Sequence, residues 1–193
     1  MAVVCQNVMK LQKDPMNLPK IKQPTLKPQD LLVSLKVAVR PDRQYTFSEL
    51  AAELCMSASE VHAAVKRAEA SRFLSRSGTE LRAIRSTLQE FLIHGVQYAF
   101  PPLSGPLTRG MPTGFAGPVL KEHFMTGDGL PPVWPDPEGE ARGTSLQPLY
   151  HSVPAACRAD QKLYGVLTLV DALRAGSARE KELSSQLLME HLK

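Results

Sequence analysis

Two helix-start signals set close together constrain this chain more than any other feature. Thr46 is followed three residues later by Glu49, and Ser57 is followed at the same distance by Glu60. In each pair the hydroxyl can accept from the glutamate's backbone N–H while the carboxylate reaches back to the first residue's N–H. Two donors that a helix start leaves orphaned are then satisfied together. Behind the first pair Phe47, Leu50, Ala51 and Leu54 supply an apolar face at helical spacing, and behind the second Val61, Ala64, Val65 and Ala68 do the same. Only Cys55 and Met56 separate the first helix from the second cap. Two capped amphipathic helices with so short a join predict a helix-turn-helix.

The flanking residues extend that unit. Pro28 suits the first turn of a preceding helix, where its missing N–H costs little, and Leu31, Leu32, Leu35 and Val39 follow helical spacing up to Pro41-Asp42-Arg43. After the third helix, Phe73-Leu74-Ser75-Arg76 and Leu81-Arg82-Ala83-Ile84 flank the turn residues Ser77-Gly78-Thr79-Glu80, which predicts a small β-hairpin. A further helix is expected from about Ser86 to Tyr98, carrying Leu88, Phe91, Leu92 and Val96. These elements bound a unit over 28–100. Residues 1–27, with five lysines, one aspartate and three prolines, read as a basic flexible arm.

The rest of the chain differs in kind. Between Pro101 and Pro154 eleven prolines and eight glycines exclude long regular elements on composition, while Leu107, Met111, Phe115, Val133 and Trp134 are apolar enough to pack. Residues 101–153 are therefore expected to form an irregular packed segment with one short helix around Pro118–Phe124. Helical spacing returns over 154–193: a short helix near Pro154–Arg158, a stripe of Leu163, Val166, Leu167, Val170 and Leu173 stopped by Gly176, and a last helix from about Ala178 with Leu183, Leu187, Leu188 and Leu192. The leucine stripes suit either a dimer interface or packing within the chain. The expected fold class is mainly α.

Charge divides along the same line. Met1–Arg85 holds 14 basic against 8 acidic residues, a net of +6, whereas the remainder holds 9 against 11, a net of −2. A basic first half points to an anionic partner, and a slightly acidic second half to protein contacts. Three widely spaced cysteines, Cys5, Cys55 and Cys157, make no metal pattern and fit a reducing cytoplasm. The longest apolar runs, such as Val166–Val170, fall far short of the ~20 residues that span a bilayer. No signal-peptide pattern precedes Lys10, so a cytoplasmic protein without membrane attachment is expected.

The chemistry concentrates on the third helix. With its inner face subtracted, Ser59, Glu60, His62, Ala63, Lys66 and Arg67 lie outside. A helix that reads the major groove needs a slim N-terminal half with hydrogen-bonding side chains, which Ser59 and His62 supply and the small Ala63 permits. The N–H groups near Ser57 suit a phosphate, and Lys66 and Arg67 are spaced for the DNA backbone. Through the segment Tyr45–Glu69 the sequence resembles bacterial winged helix-turn-helix transcriptional regulators, including the MarR-like members. The resemblance implies that Ser57, Ser59, His62, Lys66 and Arg67 touch DNA and that Arg76 to Arg82 form a wing, with Arg76 and Arg82 as contacts. Cys55 departs from the pattern, standing at a turn position that commonly holds glycine.

Other candidates are weaker. Arg109 and Thr113 sit in a glycine-rich stretch and make a candidate effector loop for a phosphate or carboxylate, although no GKS/T follows to make a P-loop. The five histidines lack helical metal spacing, and Asp136, Glu138 and Glu140 read as a solvated loop tip. No GxSxG, HExxH or Cys/His grouping points to an enzyme, and no cofactor is called for. The expected function is a sequence-specific transcriptional regulator, a repressor by occlusion, that binds double-stranded DNA as a homodimer. The alternative is an antitoxin-like adaptor whose helix-turn-helix is a scaffold and whose C-terminal half grips a protein partner.

Overall fold

The computed structural model describes residues 24–124 and 129–193, so most of the expected basic arm lies outside the described residues. The chain enters helix α1 (Pro28–Ala38) with Pro28 in its first turn, as its fixed φ favours. Helices α2 (Phe47–Leu54) and α3 (Ala58–Ala70) follow, each opened by its capping box, and strands β1 (Leu74–Ser77) and β2 (Glu80–Ala83) form an antiparallel hairpin. The next helix is broken. Gly95 divides α4 (Arg85–His94) from α5 (Val96–Ala99), and a Cβ on Gly95 would lie 2.9 Å from the Phe91 ring.

The expectation for 101–153 is corrected here, and the mainly α class holds only in part: helices make up about half of a mixed helix and sheet fold. Strand β3 (Ser104–Pro112) runs antiparallel to β5 (Ala141–Leu146) and, at its end, to β4 (Pro132–Pro135). β4 and β5 pair in parallel, closing three strands into a small barrel. The glycines and prolines that argued against strands are what permit such tight closure. A Cβ on Gly110 would sit 2.0 Å from the Trp134 carbonyl oxygen, and one on Gly143 would sit 1.9 Å from that of Pro131. Only a residue without a side chain allows backbones to cross so closely. Pro106 falls in the register shift between Ser104 and Leu107, where a ladder N–H is not required. The helix expected near Pro118–Phe124 is absent: a 3-10 turn at Gly114–Ala116 leads into turns pinned by Gly117, whose backbone abuts the Thr168 side chain.

The C-terminal helices are α6 (Val153–Ala159), α7 (Gln161–Ala175) and α8 (Ala178–His191). Asp160 caps α7 by accepting from the N–H groups of Lys162 and Leu163 at 3.2 and 3.3 Å. Every residue of α7 from Leu163 to Arg174 is buried, so its apolar stripe is consumed within the chain. A buried polar cluster ties α7 to the barrel: the Asp171 carboxylate accepts from the Thr113 hydroxyl at 2.8 Å, the Trp134 indole N–H at 2.5 Å and Arg174 at 2.6 Å.

One continuous apolar core joins these parts, with α1 inside it. Its residues Asp30 to Val39 are all buried, which forces partners on its two charges. Lys36, 1% exposed, places Nζ 2.6 Å from both Glu53 and Asp160, and Arg40 adds a second contact to Asp160 at 3.0 Å. α1, α2 and the start of α7 are thereby held by one set of ion pairs. Among the described residues no helix is long and apolar enough to cross a membrane.

Candidate nucleic-acid interface

The α2–α3 turn sets the geometry. Cys55 adopts φ 52°, ψ 45°, the left-handed cap that a glycine ordinarily supplies, and lets Met56 N–H return to the Ala51 carbonyl at 2.9 Å. Ser57 then caps α3: its hydroxyl accepts from Glu60 N–H at 3.2 Å, and its own N–H donates to the Glu60 carboxylate at 2.9 Å. Val61, Ala64, Val65 and Ala68 are fully buried against α1 and α2. Ser57, Ser59, His62 and Lys66 are consequently exposed, in a line along α3, with Ala63 beside them.

Each flank of that line is built differently. On the hairpin side the His62 ring stands edge-on to Phe47, with centroids 5.5 Å apart, and the Arg76 guanidinium covers the same Phe47 ring at 5.1 Å. Arg76 also donates to Glu69 at 2.8 Å, and Arg82 to Glu80 at 2.7 Å. Both hairpin arginines are exposed, yet each already has a carboxylate. Exposed pairs of this kind hold their arginines only weakly, because water screens the charges.

The opposite flank holds what sequence reasoning missed. The Tyr150 hydroxyl, ninety residues away in sequence, donates to Glu60 at 2.5 Å. That bond and the Ser57 contacts hold the Glu60 carboxyl down at about 2. The Tyr150 ring lies tilted against the exposed His151, with centroids 4.2 Å apart, and the Ser152 hydroxyl donates to the Leu54 carbonyl at 2.6 Å. The segment before α6 therefore braces the α2–α3 turn without covering Ser59, His62 or Lys66. Arg67, expected on the outer face, is instead forked onto the buried Asp30, with contacts of 2.7 to 3.0 Å. Asp30 also accepts from Lys27 N–H at 2.9 Å, so the chain passes from the arm into α1 alongside α3.

Arg109 and Thr113 are not brought together. Both follow the course of β3 and its exit, but Thr113 is buried on Asp171 while Arg109 is exposed. No family model, curated protein or solved structure matches the chain.

Proposed function

We propose that residues 28–100 form a winged helix-turn-helix and that the protein is a sequence-specific DNA-binding transcriptional regulator. The observation that carries this reading is the open outer face of α3, where Ser59, His62 and Lys66 stand exposed around the small Ala63. A strip of that shape and chemistry suits the major groove: Ser59 and His62 meet base edges and Lys66 meets the backbone. The hairpin, with Arg76 and Arg82, acts as the wing. Lys10, Lys13, Lys20, Lys22 and Lys27 add positive charge to a chain that enters α1 beside α3. Two copies on a two-fold site raise affinity and specificity beyond what one small reading helix supplies, and occupancy of a promoter represses by occlusion.

The test is to sequence the duplex fragments that the purified protein retains from a random pool. A common site should emerge, and His62→Ala should change the preferred bases at one or two positions of it. Fragments with no shared site, or a site indifferent to His62, would remove the sequence-reading role. An adaptor reading draws on the exposed Leu103, just before β3, and Leu107 within it, 59% and 53% accessible, and calls for no retained DNA at all.

A further inference from the structure

The register of β3 against β5 sets Arg109 directly opposite Arg142. Residues directly opposed in antiparallel strands project from the same face with Cβ atoms about 5 Å apart. The two arginine side chains thus leave from one face of the sheet, and like charges so placed weaken a ladder. The sheet does not need them: the neighbouring pairs, Thr108 with Gly143 and Gly110 with Ala141, are small and uncharged. Among the described residues neither arginine has a carboxylate within ion-pair distance. Asp136 and Glu138 are both held by Arg158, at 2.5 and 3.3 Å. Glu140 lines the same groove without pairing to either guanidinium.

Arg109 is also aimed. Its Nε donates to the Gly139 carbonyl at 2.5 Å, and Gly139 is pressed so closely on Gly110 that a Cβ there would lie 2.2 Å from the Gly110 carbonyl carbon. The fork is fixed at its root while both terminal amino groups stay free. Around it lies an open groove of about 440 Å³ bounded by Leu107, Thr108, Glu140 and Arg142.

We propose that Arg109 and Arg142 form a two-arginine site for a phosphate group. One guanidinium fork already saturates the two oxygens of a carboxylate, whereas a phosphate offers three or more oxygens and up to two negative charges, enough for both forks. The phosphate comes either from a small phosphate compound or from the backbone of bound DNA, and the site stands whether or not α3 reads bases.

Two arms on the full-length protein decide it. In the first, inorganic pyrophosphate is titrated at constant ionic strength while the arginine Nε–H resonances are followed by NMR. Saturable shifts at Arg109 and Arg142 are expected, and Arg142→Gln should weaken them about tenfold or more, the worth of a charged hydrogen bond. Arg142→Lys, which keeps the charge and loses the fork, should weaken them nearly as much. In the second arm, the salt dependence of duplex binding is compared between the wild type and Arg109→Gln/Arg142→Gln. A slope flatter by about 1 per arginine assigns the phosphate to DNA, and saturable pyrophosphate shifts with an unchanged slope assign it to a small ligand. Shifts that never saturate, together with an unchanged slope, overturn the site. A wild type that binds no duplex defeats the regulator reading alone and leaves the first arm to judge this one.

Discussion

Cys55 shows how much a single backbone angle carries in the α2–α3 turn. At φ 52° its Cβ crowds the following carbonyl, a conformation that costs a residue other than glycine about 1–2 kcal/mol. Cys55→Gly removes that crowding but frees the unfolded chain, so a net gain of about 0.5–1 kcal/mol is expected, read as a higher urea midpoint. Arg67 carries the opposite lesson. Replacing it with Ala leaves Asp30 buried without its main partner, which should cost ~3 kcal/mol of stability while the salt slope of duplex binding stays as in the wild type. Ser59, His62 and Lys66 could be placed outside from helical spacing alone, because spacing decides which face is buried. Spacing is silent on a partner in another element. Asp30 lies 37 residues before Arg67 and Tyr150 lies 90 after Glu60, so neither pairing was readable in advance.

At the level of elements, α1–α3, the hairpin and the last three helices follow their sequence signals closely, since caps, apolar spacing and glycine stops act locally. The barrel does not, because its strands depend on glycines at crossings between β3, β4 and β5 that only the folded chain brings together. Gly143→Ala should therefore force β4 and β5 apart and cost ~1–3 kcal/mol, with the fluorescence of Trp134 moving to the red as its buried site opens. Asp160, which joins α7 to α1, makes stability depend on pH. Burial pushes its carboxyl up, but hydrogen bonds from Arg40 and Lys36 outweigh that and bring it down to about 2. A carboxyl depressed on folding stabilises fully above the unfolded value near 4 and loses that contribution as pH falls towards 2. Urea unfolding from pH 5 to about 2 should show a steep loss for the wild type and a shallower one for Asp160→Asn, which starts from lower stability.

Across the whole molecule, buried residues on both sides of Phe100 belong to one apolar core. α1 is buried between α3 on one side and α7 on the other, and its Lys36 depends on Asp160 from the C-terminal half. A fragment ending at Phe100 exposes that face and leaves Lys36 with Glu53 alone, so it should lose the cooperative urea transition that the full chain shows as a single step. The C-terminal half is thus a brace for the helix-turn-helix, reaching it through Tyr150 and Ser152 while leaving the outer face of α3 open. That open face is tested most directly by the salt dependence of duplex binding by the full-length protein. Log affinity should fall linearly and steeply with log salt between about 50 and 200 mM, and Lys66→Ala should flatten the slope by about 1 while weakening all duplexes alike. Binding that is absent at low salt, or a slope that Lys66→Ala leaves untouched, would contradict the docking of α3 on DNA.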